Sequence, residues 1–350
     1  MEAFGELRED WLGKFLELPN GIPSHDTFRN VFSALDPDHF LDAFLEWTES
    51  VRRTVAGEVI GIDGKALRGA KGVAKDGSDI PTIVGAWAAG AGISLGQLDV
   101  EGKSNERERS GHGLSEGQPR GRAKRSQITA VPKLLDRLKL KGAIVTTDAM
   151  GCQKQIAKKI RDKGADYVLA LKGNQGSLHT QVQTYLDGII DKGLEPGYTQ
   201  ESSGHGREEV RRCWVEEDLD DWLEGCENWD GLHTVVAVEL RRTEKSKTSV
   251  ERRYFISNLE ADAEKVAHAV RAHWRVENSL HWVLDVVFGE DAARARTRNA
   301  AGNLSTLRRL AQNLLKTSER YPKWTVKKRK FAASQNPDYL LELLGQKSDA

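Results

Sequence analysis

The order of the apolar runs constrains this chain more than any other feature. Val59-Ile60-Gly61-Ile62 reads as a buried strand. Thr82–Ala89 and Ile93–Val100 read as two more, joined by the hairpin signal Gly90-Ala91-Gly92. Three antiparallel strands therefore come first. The pattern then alternates. Ile128–Leu138 has helical spacing, and Ala143–Thr147 is a strand. Gln153–Lys163 is a helix closed by Gly164, Tyr167–Leu171 a strand, and residues 177–190 a helix. Strand–helix–strand order at this spacing implies parallel pairing through right-handed crossovers. An α/β domain around a mixed sheet is expected.

Two of these strands run straight into an acid. Asp63 follows Val59–Ile62 and precedes Gly64-Lys65, and Asp148 follows Ala143–Thr147. A third acid, Glu277, sits in His273-Trp274-Arg275-Val276-Glu277-Asn278, inside a helix expected over about 263–287. On that helix Val276, Leu280, Val283 and Val287 form an apolar stripe. His273, Glu277, His281 and Asp285 step by four and form a polar one. Acids at strand ends plus one on a later helix can converge on divalent metal ions. Two such ions about 3.5–4 Å apart activate a water and stabilise a leaving oxygen in phosphoryl transfer. Asp285, Glu290 and Asp291 are reserve candidates for the third acid. Plainer roles stay open: Asp63 as a turn residue, Asp148 as a helix N-cap. The HExxH order of zinc hydrolases is absent.

Residues 1–55 read as helical, with Asp36-Pro37 as a helix start and Ser24 or Asp26 as a cap. Residues 107–127 hold four glycines and six basic residues and read as a long loop. Residues 195–260 return to strands (Glu209–Val215, Thr234–Leu240 and Tyr254–Ile256), and the chain is helical from Ala261 onward. Formal net charge is zero, but the charge is segregated. Residues 292–330 carry twelve Lys or Arg and one acid, whereas residues 201–230 carry eleven acids and three Arg. Local charge sets the field, so the basic segment is a candidate for phosphate contact. Lys65 and Arg68 near Asp63 can pair with it or grip phosphate, and Lys172 and Asn174 in Leu171-Lys172-Gly173-Asn174-Gln175 and Arg207 in His205-Gly206-Arg207 are further phosphate candidates. Trp274, Trp282 and Trp324 can stack on bases, or simply fill the core. Three scattered cysteines, Cys152, Cys213 and Cys226, argue against a zinc ribbon or disulfide framework and fit a reducing cytoplasm. No apolar stretch approaches the roughly 18 residues a membrane span needs, and the N-terminus shows no signal-peptide core.

Several strings, in order and over nearly the whole chain, carry a family resemblance. They are Leu18-Pro19-Asn20-Gly21-Ile22-Pro23-Ser24-His25-Asp26-Thr27-Phe28, Ile62-Asp63-Gly64-Lys65, Lys103-Ser104-Asn105-Glu106, Asp148-Ala149-Met150-Gly151-Cys152-Gln153-Lys154, Tyr167 through Gln175, and His273 through Trp282. Together they resemble the H-repeat-associated, ISAs-type group of bacterial insertion-sequence transposases, of the DDE class. The resemblance implies a ribonuclease-H-like catalytic core with an associated helical N-terminal region; the strands of 195–260 read as a β-rich insertion in that core, followed by a helical C-terminal region. The strand order above is that of such a core. It divides the chain into an associated helical region (1–55), a first catalytic part (56–194), the β-rich insertion (195–260), and a helical C-terminal part with a basic tail (261–350).

The family's metal-binding acids map to Asp63, Asp148 and Glu277, with Mg²⁺ or Mn²⁺ as cofactor. Lys65, Arg68, Lys172, Asn174, Arg207, His273, His281, Arg294, Arg296 and Arg298 are the expected DNA contacts. Double-stranded DNA is the expected partner, a homodimer the expected assembly, and the cytoplasmic nucleoid the expected location. Three departures stand out. The chain is short before Glu2–Trp11, and the 21 residues Arg107–Gln127 intervene before Ile128-Thr129-Ala130. Related enzymes often carry an Arg where His273 stands and a Lys where Leu284 stands, so phosphate contacts near Glu277 differ. A metal-dependent nuclease that cuts without joining, and an inactive DNA-binding remnant, are the alternative functions.

Overall fold

A computed structural model describes residues 1–52, 56–71, 80–100, 122–204, 206–245 and 247–345. Four helices open the chain: α1 (Glu2–Glu6), α2 (Glu9–Leu12), α3 (His25–Ala34) and α4 (Pro37–Val51). The caps are those expected from the sequence. Ser24 accepts from the Thr27 amide, and Asp36 accepts from the amides of Asp38 and His39 ahead of Pro37.

The strands β1 (Val59–Ala66), β2 (Thr82–Ala88) and β3 (Ile93–Val100) follow as two hairpin pairings. Helix α5 (Arg122–Arg137) leads to β4 (Ile144–Thr147), α6 (Lys154–Asp162) to β5 (Asp166–Leu171), and α7 (Gly176–Asp191) closes this half. β4 lies parallel to β1, and β5 parallel to β4. The loop expected up to Gln127 is shorter than the sequence suggests, because α5 begins at Arg122. The rest of that loop and the Lys103–Glu106 string lie outside the described residues.

Four more strands complete the sheet: β6 (Tyr198–Gly204), β7 (Arg207–Glu216), β8 (Thr234–Glu244) and β9 (Lys247–Ser257). The strand order is β3-β2-β1-β4-β5-β9-β8-β7-β6. The β-rich stretch thus continues the central sheet through β9 beside β5. β6 has almost no apolar residues, so periodicity alone does not reveal it; pairing with β7 makes it a strand. Successive residues of the inner strands point to opposite, buried faces. Ile60, Val145 and Tyr167 pack with Leu134, Ile156 and Val182 on one side. Val59, Ile144 and Val168 pack with Val266, Leu280 and Leu284 on the other. Burial on both faces explains why β1 and β4 read as continuous apolar runs.

The second face is covered by α8 (Ala263–Arg275), capped by Asp262. The helix expected to run on to 287 changes winding: Val276–His281 and Val283–Val287 are π-helical. Helices α9 (Ala300–Thr317), α10 (Val326–Gln335) and α11 (Pro337–Leu343) end the described chain. Asn303 of α9 donates to the carbonyls of Phe32 and Leu35, tying the N-terminal helices to the C-terminal part.

Candidate active site

The pairing of β1 with β4 ends at Ile62 opposite Thr147. The next residue of each strand is an acid, so Asp63 and Asp148 stand side by side at one edge of the sheet. Both line the same cleft, with Gly64, Thr147 and Met150. Asp63 Oδ1 accepts from the Gly64 amide at 2.8 Å. Asp148 Oδ1 accepts from the amides of Met150 and Gly151 at 3.1 and 3.3 Å. The N-cap role weighed for Asp148 is therefore real, and it aims the carboxylate at the cleft's rim.

The third acid arrives on the π-helical segment. Gly61 makes room for it: a Cβ there would lie 2.6 Å from Val276 Cγ2. A glycine inside an apolar strand pattern marks such a close approach, and Gly61 was the overlooked signal. In an α-helix a four-residue step drifts about 40°. The wider π turn reduces that drift, so the polar stripe stays on the sheet edge. His273 Nδ1 meets Thr146 Oγ1 at 2.9 Å. His281 Nδ1 lies 3.3 Å from Glu277 Oε2 and 3.6 Å from Asp63 Oδ2.

Asp285, one step further, is taken by Lys65. The Lys65 ammonium donates to its two oxygens at 2.6 and 2.7 Å, with Asp291 at 3.7 Å and Glu290 at 3.9 Å. Glu290 also accepts from Ser305 at 2.6 Å and pairs with the buried Arg309 at 3.3 Å. This corrects two expectations. Lys65 is 8% exposed and faces acids, not solution, so it is no phosphate contact as it stands. The reserve acids Asp285, Glu290 and Asp291 are engaged by Lys65 and Arg309. Neither partnership was visible in the sequence, where Lys65 and Asp285 are 220 residues apart.

The electrostatics follow from this geometry. Burial pushes the Asp63 carboxyl up to about 7, and the charges of Asp148 and Glu277 add to the effect. Burial pulls His281 down to about 3, helped by the cations Arg309 and Lys65, so its ring is neutral. His273 is lowered by burial as well. The buried Cys152 thiol is pushed up to about 12 by burial and by Asp148, which leaves it protonated and idle. Among the described residues no Lys or Arg forms an ion pair with Asp63, Asp148 or Glu277. Crowded carboxylates without a counter-charge suit a divalent cation, and Asp63, Glu277 and His281 each offer a ligand atom within 4.8 Å of the others.

The other predicted residues are scattered. Arg68 is exposed, 3.9 Å from Asp291. Lys172 and Asn174 are exposed on the turn after β5, where Asn174 Nδ2 donates to the Ala149 carbonyl at 2.7 Å and braces the Asp148 turn. Arg207 stands on β7, five strands from β1, away from the acids. Arg294, Arg296 and Arg298 are all exposed in the segment before α9. The basic stretch 292–330 is not uniformly free. Arg309 is buried against Glu290, Arg329 donates to the carbonyls of Leu315, Lys316 and Ser318, and Lys330 donates to that of Val287. Leu284 is fully buried, so no phosphate contact arises there. Trp274 and Trp282 are about half exposed, and Arg253 stacks over Trp274 at 4.0 Å.

Residues 110–314 match the family described as the transposase DDE domain, and residues 1–48 match the one described as DDE_Tnp_1-associated. The whole chain is 38% identical to "Putative transposase YncI" of Escherichia coli O157:H7, over 85% of that protein. Over 98% of its length it is 35% identical to "H repeat-associated putative transposase YhhI" of E. coli K12, covering 86% of that protein. The chain belongs to the DDE transposase family, in the group with H-repeat-associated members. Among solved structures, the piggyBac transposase synaptic complex with hairpin DNA overlaps 97% of this chain and 64% of that one. Identity there is 13% and the TM-score 0.41, a likeness too weak to build on.

Proposed function

We propose that this protein cuts and joins DNA at the ends of an insertion-sequence element, with Asp63, Asp148 and Glu277 holding two divalent cations, Mg²⁺ or Mn²⁺. The observation that carries the reading is the uncompensated charge. Three acids from β1, β4 and the π-helical segment lie at one sheet edge, while Lys65, two residues beyond Asp63 on β1, pairs with Asp285. The strand order of the first five strands supports a ribonuclease-H-like core. No helix among the described residues is long and apolar enough to cross a membrane.

Bound there, the cations would supply an activated water and offset the charge developing on the phosphate. Asp63, between the other two acids, serves both positions. Asp148 is held by the amides of Met150 and Gly151, which engage one oxygen and leave the other for a cation. Glu277 is largely exposed, so it adjusts to the bound substrate. A 3′-hydroxyl freed by the first cut attacks the target strand directly, so no Ser or Tyr nucleophile is needed. Arg68, Lys172, Arg294, Arg296 and Arg298 hold phosphates, and Arg207 touches DNA flanking the cut. Joining two element ends calls for two copies of the chain.

The test uses purified protein with Mg²⁺ or Mn²⁺ and a supercoiled plasmid carrying the DNA that flanks this gene. Metal-dependent cleavage with strand-transfer products is expected. Asp63→Asn, Asp148→Asn and Glu277→Gln should abolish cleavage and spare most DNA binding, because each removes a metal ligand and no phosphate contact. Cleavage retained in all three variants would sink the assignment. Cutting without joined products would mark a nuclease, and binding without cutting an inactive copy.

A further inference from the structure

We infer that the imidazole of His281 is itself a ligand of one of the two cations, which gives that position two carboxylates, Asp63 and Glu277, and one nitrogen. This rests on the metal-binding reading of the acids and goes beyond it, because an acid triad alone supplies only oxygen.

The distances favour coordination over hydrogen bonding. His281 Nδ1 is 3.3 Å from Glu277 Oε2 and 3.6 Å from Asp63 Oδ2. Good N–H···O bonds are about 2.7–3.2 Å long, so both contacts are slack. Two ligands that each sit about 2.1 Å from one ion, at tetrahedral or octahedral angles, lie roughly 3.0–3.4 Å apart. Both contacts of Nδ1 are therefore within tenths of an ångström of the spacing of ligands that share an ion, and the oxygens of Asp63 and Glu277 lie within 4.8 Å of each other.

Burial removes the alternative role. His281 is 7% exposed, so its ring does not reach out to DNA phosphates as expected from the sequence. Its neighbour on the same stripe, His273, is already engaged by Thr146. Among the described residues the ring of His281 has only the long contacts to the carboxylates of Glu277 and Asp63. The π winding keeps Glu277 and His281 on one side, a turn apart, facing Asp63.

A nitrogen in the set has a chemical consequence. All-oxygen sites suit Mg²⁺, whereas imidazole suits the later transition metals, with Mn²⁺ accepting either. The position held by Asp63, Glu277 and His281 should therefore prefer Mn²⁺, Co²⁺ or Zn²⁺ to Mg²⁺.

The experiment is Mn²⁺ titration of the full, metal-free chain, followed by pulsed EPR of the bound ion. The expected result is a directly coupled ¹⁴N signal that changes to the ¹⁵N pattern when histidine is ¹⁵N-labelled. The signal should survive His273→Ala and vanish in His281→Ala. Mn²⁺ affinity in His281→Ala should fall roughly 10–100-fold, and Mg²⁺ affinity less. Should His281→Ala fail to fold, the labelled wild type and labelled His273→Ala still decide, because among the described residues these two imidazoles are the ones beside the acids. Mn²⁺ bound in an Asp63-dependent way but without histidine coupling, or with coupling that survives loss of His281, overturns the inference alone. Mn²⁺ binding that is absent, or unchanged in Asp63→Asn, overturns both the inference and the metal-site reading beneath it.

Discussion

Asp63 is strained electrostatically by the company it keeps. Its pKa is about 7 in the metal-free fold against an ordinary 3.8, from burial first and then from Asp148 and Glu277. The folded chain holds this proton more tightly than the unfolded chain does. For this group, stability is therefore fully present below pH 3.8 and is lost as pH rises through 7. Asp63→Asn removes that cost. The variant should melt higher than the wild type at pH 8 without metal, by at most about 4 kcal/mol, and the difference should vanish near pH 4. Thermal melts at the two pH values check this; a variant that melts lower at pH 8 would contradict the crowding. Asp63 and Asp148 were legible in the sequence because each follows an apolar run, where an acid has no packing role. The partner of Lys65 was not legible. Nothing local distinguishes a lysine that pairs across 220 residues from one that faces solvent.

The strand and helix that carry the site are held together at two points, above and below Asp63. At the first, Gly61 lets Val276 approach. Gly61→Ala should cost about 1–3 kcal/mol by overpacking and weaken cleavage. Trimming the opposing side chain in Gly61→Ala/Val276→Ala should recover part of both. A double-mutant cycle on melting and cleavage measures the coupling, and strict additivity would show that the two side chains do not meet. At the second, Lys65 clamps Asp285. Lys65→Met buries an apolar group against the partly exposed Asp285 and Asp291 and the buried Glu290, and should destabilise, by at most about 3–5 kcal/mol. Lys65→Met/Asp285→Leu should be less damaged than Lys65→Met alone, as chemical denaturation would show. The helix over 263–287 was predictable from its apolar stripe, but its change to π winding was not. The stripe with its four-residue step fits either winding, and only close packing against Gly61 and the sheet edge selects between them.

At the scale of the whole molecule, the hairpin strands and the crossovers were readable because β1, β4 and β5 are buried on both faces. The reach of the sheet was not. β6 and the outer ends of β8 and β9 are polar, and their strand character comes from main-chain pairing that leaves no hydrophobic signature. The same division governs charge. A net charge of zero hides a molecule whose cations divide into two groups. Arg309, Arg329 and Lys330 are spent on Glu290 and on backbone carbonyls that would otherwise lack partners. Arg294, Arg296 and Arg298 alternate along an exposed segment and make no ion pair among the described residues. DNA affinity should therefore depend on the second group. In a salt titration of binding to element-end DNA, each of Arg294→Ala, Arg296→Ala and Arg298→Ala should reduce the slope of log affinity against log salt by about 1, with melting unchanged. Arg309→Ala should do the reverse, lowering the melt because the buried Glu290 loses its closest cation and keeps only Lys65 at 3.9 Å. A salt slope that falls equally for the buried and exposed arginines would mean that binding follows overall fold integrity, not phosphate contacts on this segment.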